Sequence, residues 1–204
     1  MMRGSRKASL CLYRKGDQMI YIVEGIDRMG KSTFANALSE RIGVPVYHDD
    51  ATTVDLGNWM DSPNETDKML KMLNILDLTD SSMIFDRFHL TDFTYGLIDR
   101  NYIYKDALAN LGKIEDRLLN MRQHVFMYYM FDSKGPARAS AMDGRDLSLH
   151  YKTMDTAFLM SPIASTRIEF DDIDREVEEA ARKFYSLDAN MAVEPRLEDA
   201  NKCQ

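Results

Sequence analysis

The sequence predicts an α/β protein whose parallel sheet is covered by helices on both faces. Three observations lead there. From Met19 onward, short apolar runs alternate with stretches of helical period. Most of those runs are apolar throughout rather than alternating, as in strands with both faces covered. A glycine-bearing string at 25–33 separates the first run from the first helix.

Taken in order, the first strand is expected over 19–24 and the first helix over 31–42, where Phe34, Ala35, Leu38 and Ile42 share a face. A strand over 44–48 follows. A helix over 65–78 carries Met69, Met72, Leu73 and Leu76, with Leu70 widening the stripe. That spacing is what core packing requires, so the methionines are read as core filling. The third strand is expected over 82–86 and the next helix, with Leu108, Leu111, Ile114 and Leu118, over 105–122. A strand over 124–131, a helix over 149–160, a strand over 167–170 and a helix over 173–185 complete the series. One domain over 19–186 results, between a basic extension at 1–18 and a polar tail at 187–204.

Composition narrows the class. The 204 residues suffice for one sizeable core, and 45% apolar with 29% charged residues is too apolar for disorder. The longest apolar run near the middle, 125–131, is far too short to span a bilayer. Two cysteines, Cys11 and Cys203, lie in opposite terminal segments and form no disulfide framework, which points to a reducing, cytoplasmic setting. Net charge is −7; Arg3, Arg6, Lys7, Arg14 and Lys15 put +5 in the first 15 residues and leave −12 for the rest. An acidic body argues against broad wrapping of DNA, though it allows one local basic groove.

The chemistry begins at Gly25-Ile26-Asp27-Arg28-Met29-Gly30-Lys31-Ser32-Thr33, a G-x-x-x-x-G-K-S string between a strand and a helix. Its glycines let the backbone fold around an anion, and the helix adds the positive end of its dipole. Lys31 is placed to bridge the β- and γ-phosphates of ATP, and the Ser32 hydroxyl to hold Mg²⁺. The third strand ends in Asp86, followed by Arg87. A carboxylate there lies at the carboxyl edge of the sheet, able to orient the Mg²⁺ shell, while Arg87 offers a fork to phosphate oxygens. Residues 132–147, rich in Gly, Pro, Ser and Ala and carrying Lys134, Arg138 and Arg145, read as a short lid that brings an arginine to the developing charge. Arg145 stands closer to the helix that follows. His48, His89, His124 and His150 have no metal-site spacing. Trp59 and Phe93 could stack on a base, but aromatics of this kind are more often core or pocket-wall residues. Tyr151, just past the lid, is a candidate acceptor contact.

These residues resemble the thymidylate kinase branch of P-loop nucleotide kinases. The likeness is specific from Glu24 to Thr33, against the family's E-G-x-D-R-x-G-K-S-T, and at Asp86-Arg87-Phe88, like its D-R-Y, with Thr91 and Tyr95 following. Elsewhere it is element order and spacing. The resemblance implies a three-layer P-loop kinase fold with a five-stranded parallel sheet in the order 2-3-1-4-5. It implies that Asp27 sits near the acceptor's sugar and that Arg28 stabilises the transferring phosphoryl group. Asp86 would then serve the metal, Arg87 the acceptor phosphate and Tyr95 the wall of the acceptor pocket. Homodimers are common in the family, but no stripe here marks an interface.

Two departures bear on the acceptor. Where the family has an arginine and a proline-glycine turn after its second strand, this chain reads Val46-Tyr47-His48-Asp49-Asp50-Ala51-Thr52. Where the family has a base-reading arginine before its third strand, this chain offers Asn74, Asp77 and Asp80, and no arginine occurs between Arg41 and Arg87. A phosphate acceptor needs cations around it, whereas a hydroxyl acceptor needs a base. Three readings follow. One is a deoxynucleoside monophosphate kinase, with a dTMP-like acceptor. Another is a kinase for a hydroxyl on a nucleoside or on a modified base within DNA, with Asp49 or Asp50 as base. The third is a non-catalytic nucleotide-binding module.

Overall fold

In the computed structural model, which describes residues 18–48 and 65–189, five strands form one parallel sheet. They are β1 (Met19–Glu24), β2 (Val46–His48), β3 (Met83–Asp86), β4 (His124–Phe131) and β5 (Ser165–Glu169), in the spatial order β2-β3-β1-β4-β5. That is the expected order. All six residues of β1 are buried, so the central strand is apolar on both faces. Ile20, Ile22 and Val23 are wholly enclosed, contributing roughly 2 kcal/mol each. The phosphate-loop string hangs from this central, fully buried strand.

The helices are α1 (Lys31–Ile42), α2 (Glu65–Thr79), α3 (His89–Asp99), α4 (Tyr104–Leu119), α5 (Ala137–Asp143), α6 (Ser148–Met160) and α7 (Ile173–Ala189). One layer pairs α1 with α7; the other links α2 to α4, α4 to α3, and α3 to α6. Leu38, Phe34 and Ala35 of α1 lie in the core beneath the sheet, on the face their period marked. Among the described residues no helix is long and apolar enough to cross a membrane.

Several boundaries differ from expectation for local reasons. β2 begins after Pro45, which has no N–H to give a ladder; its carbonyl instead accepts from the Ile84 N–H at 2.9 Å. Ser82 precedes β3 because its hydroxyl is engaged with the Met19 N–H and with Gln18. α4 stops at Leu119, and β5 starts two residues and ends one residue earlier than expected, with a 3-10 turn at Phe170–Asp172. α7 continues through Ala189, past the expected start of the tail at 187. Two helices were not expected at all. α3 carries Thr91, Phe93, Thr94, Tyr95 and Gly96, poor helix formers as a group. Tertiary packing overrides that preference, and Gly96 is needed because a β-carbon there would come within 2.3 Å of the Tyr102 ring. α5 turns the middle of the expected lid loop into a helix that ends at Gly144. The basic extension up to residue 17, Asp49, Asp50, Trp59 and the tail beyond residue 189 lie outside the described residues.

Candidate active site

Six residues after β1, the chain turns back on itself and enters α1. Gly25 holds φ 147°, and a β-carbon on it would stand 2.7 Å from the Met130 carbonyl oxygen of β4. Only glycine lets the loop leave the sheet this close to its neighbour. Gly30, at φ 77°, is the residue that caps α1, while Ile26 and Met29 are buried and pin the loop. Gly30 brings no side chain to cap the α1 N-terminus. Its first-turn N–H groups and dipole form an anion-binding end, with Ser32 and Thr33 exposed beside it.

Lys31 is 4% exposed, and its ammonium donates to the Ile26 carbonyl at 2.7 Å, inside the loop. Burial pulls its pKa down to about 8, with the Arg87 charge adding to the fall while Asp27, Asp86 and Glu24 oppose it. A lysine so held is a buried cation short of counter-charge.

Asp86 ends β3 with its carboxylate buried. Oδ2 lies 2.9 Å from His48 Nδ1, while Oδ1 is enclosed and accepts no hydrogen bond among the described residues. Arg87, at φ 73°, turns outward and donates to Asp27 Oδ1 at 2.9 Å. Arg145 reaches the other oxygen of the same carboxylate, Asp27 Oδ2, at 3.1 Å. The strand-end arginine and the lid arginine therefore meet on one acid of the phosphate loop. Arg145 is also held by Asp143 at 2.5 Å and approaches Asp99 at 3.7 Å. Arg28 leans to Asp143 at 3.9 Å. The Asp27 N–H donates to the Tyr95 hydroxyl at 3.0 Å, which brings α3 to the loop. Burial, reinforced by the Asp27 charge, raises the Tyr95 pKa, so the hydroxyl stays protonated at neutral pH.

Asp27, Arg28, Lys31, Asp86, Arg87, Tyr95 and Arg145 thus gather at the carboxyl edge of β1 and β3. Two expected contacts stand elsewhere. Arg138 is engaged by Asp132 at 2.9 Å and Asp171 at 2.7 Å, with its guanidinium 4.0 Å from the Phe170 ring centre. Tyr151 donates to the Asp132 carbonyl at 2.9 Å, on this same side near the end of β4, and does not join the Asp27 cluster. Phe93 is a core residue. Asn74 and Asp77 bind Arg117 at 2.7 and 2.8 Å, tying α2 to α4.

Glu24 carries a role that the sequence reading did not assign. Wholly buried, its carboxylate accepts from the Phe88 and Leu90 N–H groups at 3.1 and 2.9 Å and from the Thr91 hydroxyl at 2.5 Å. It caps α3 from another strand, since the cap residue Phe88 supplies no side-chain bond of its own. Burial drives its pKa up against those donors. Its position as the acid ending an apolar strand was the available signal. The lid's anchors, Asp99 and Asp143, had none.

An ion can be tested against this donor set. Ser32 offers an exposed hydroxyl and Asp86 a buried oxygen without a partner, hard ligands of the kind Mg²⁺ takes. No group of three or more His, Cys, Asp or Glu that could hold a metal occurs among the described residues. Phosphate oxygens and water would complete the shell, as they commonly do for Mg²⁺. The residues fit.

Sheet order, layers and loop position together make this the three-layer P-loop kinase fold. No protein-family model matches the chain, and neither does any curated protein. Solved structures do. The YorR protein from Bacillus subtilis, in complex with phosphorylated GDP, is similar at 17% identity, over 84% of this chain and 98% of that one, with a TM-score of 0.60. Deoxyadenosine kinase from M. mycoides with bound dATP is similar at 15% identity over 82% and 100% of the two chains, TM-score 0.51. Thymidylate kinase from Ehrlichia chaffeensis is similar at 15% identity over 81% and 99%, TM-score 0.51. At these identities the likeness is one of fold.

Proposed function

We propose that the protein is an ATP-dependent kinase that transfers the γ-phosphate to a deoxynucleotide-type acceptor, a deoxynucleoside monophosphate of dTMP-like kind. The observation that carries this reading is the meeting of Arg87 and Arg145 on the two oxygens of Asp27. Two guanidiniums gathered on the acceptor side of a phosphate loop suit an acceptor that is already an anion.

In this reading the amides from Gly25 to Thr33 cradle the β-phosphate, and Lys31 leaves the Ile26 carbonyl to bridge the β- and γ-phosphates. Ser32 and Asp86 would hold Mg²⁺, which when bound would supply charge neutralisation on the phosphate oxygens. Arg28 and Arg145 stabilise the charge on the phosphoryl group in flight. Arg87 exchanges Asp27 for the acceptor phosphate, freeing the Asp27 carboxylate for the sugar hydroxyl, and Tyr95 walls the pocket. Arg138, backed by Phe170, contacts the nucleotide from the β5 side. The low cysteine content supports a reducing, cytoplasmic setting for such an enzyme.

Labelled ATP offered with deoxynucleoside monophosphates, nucleosides and hydroxyl-bearing oligonucleotides tests the acceptor. Label on monophosphates alone is the expected result. Label on nucleosides or on DNA alone transfers the chemistry to a hydroxyl and gives Asp49 or Asp50 the base's role.

A further inference from the structure

We propose that His48 is a positioning residue for the metal-holding carboxylate of Asp86, resting on the kinase reading above. β2 and β3 run parallel with His48 directly opposite Asp86. The imidazole reaches across one strand spacing, and Nδ1 lies 2.9 Å from Asp86 Oδ2. A carboxylate only accepts hydrogen bonds, so Nδ1 carries the proton of this contact. The two oxygens of Asp86 are therefore not equivalent. Oδ2 is taken by His48, and Oδ1 is enclosed with no hydrogen-bond partner among the described residues. The carboxylate is 5% exposed and the His48 ring 37% exposed.

Burying a carboxylate oxygen without a donor is unfavourable unless a cation completes it. Asp86 stands in register with Val23 of β1, two residues before the loop begins at Gly25, so its carboxylate lies in the neighbourhood where nucleotide phosphates are expected. Fixing Oδ2 leaves Oδ1 as the oxygen available to an ion and stops the carboxylate from turning. Partners behind a ligating group orient it in this way, and losing one commonly weakens metal binding by about 10–100-fold. His48 occupies the last position of an edge strand only three residues long, where packing alone demands no imidazole.

The test uses the full chain with ADP and Mn²⁺, whose paramagnetic signal reports the bound ion directly. His48→Leu removes the donor. His48→Asn keeps an amide nitrogen near the place of Nδ1, whereas His48→Gln moves it towards the place of Nε2. The expected result is Mn²⁺ binding to the ADP complex weakened about 10–100-fold in His48→Leu and His48→Gln and retained in His48→Asn. ADP affinity in excess chelator should be the same in all four proteins. If His48→Leu fails to fold, the contrast between the asparagine and glutamine variants carries the test. Mn²⁺ affinity unchanged in His48→Gln, or lost equally in the asparagine and glutamine variants, overturns the proposal and leaves the kinase reading standing. Wild-type protein that binds no ADP overturns both.

Discussion

Replacing Lys31 by alanine is expected to remove phosphoryl transfer to every acceptor, lowering kcat/KM by roughly 10³-fold, the upper range for losing one donor to a developing charge. The ammonium is enclosed and already inside the loop, bonded to the Ile26 carbonyl, so its loss leaves the loop without its buried cation. The same burial gives the binding step a pH dependence. In the free protein the Lys31 pKa is lowered from 10.5 to about 8. Phosphate oxygens favour the charged form and return the pKa towards its ordinary value. Above about pH 8, therefore, nucleotide binding must take up a proton that the free loop has lost. ADP affinity is expected to be flat below that pH and to fall about tenfold per unit above it, a slope that Lys31→Ala abolishes. Calorimetric titration of ADP across that range measures it. Retained turnover in Lys31→Ala removes the loop from the mechanism, and a flat affinity through the alkaline range contradicts the buried-cation account.

The second large effect falls on the fold. Gly25→Ala is expected to cost about 3 kcal/mol, from overpacking together with a backbone conformation that L-residues resist. Its new methyl would meet backbone, the Met130 carbonyl oxygen at 2.7 Å, in the centre of the sheet where neither strand can move away. Gly30→Ala meets the tip of the Ile173 side chain instead, at 2.4 Å, and that tip can rotate. Its cost is then mainly the left-handed conformation, about 1–2 kcal/mol. Denaturant unfolding of the two variants should rank Gly25→Ala as the more damaging. Equal costs, or the reverse order, would show that the close approach of β1 and β4 does not constrain the loop.

The strands and the position of the loop were legible because each rests on local signals, whereas the order of the sheet followed only from the family resemblance that the loop motif carries. β1 is an unbroken apolar run, α1 has its period, and the glycines stand at the turn between them. α3 was not legible. Its residues favour strands, and what makes it a helix is an enclosed carboxylate 64 to 67 positions earlier in the chain together with packing on α4 and α6. The site divides in the same way. Lys31, Ser32, Asp86 and Arg87 could be named from motifs, because strand ends and helix starts place them. The meeting of Arg145 with Asp27 spans 118 positions, and no local pattern encodes it. The His48–Asp86 contact depends on the register of two parallel strands, known only once β2 is seen to start after Pro45. Arg138 and Tyr151 could be named as lid and post-lid residues, but not where they dock: Asp132 and Asp171 hold Arg138, and the Asp132 carbonyl holds the Tyr151 hydroxyl, on the β5 side of the sheet.

The central claim is that a nucleoside triphosphate tail nests in the amides from Gly25 to Thr33 with magnesium beside it. Isothermal titration of ATP into the folded protein, with and without Mg²⁺, measures this most directly. A saturable heat that strengthens with Mg²⁺ and weakens in Lys31→Ala is the predicted result. A folded protein that takes up neither ATP nor GTP in the presence of Mg²⁺ would contradict the account.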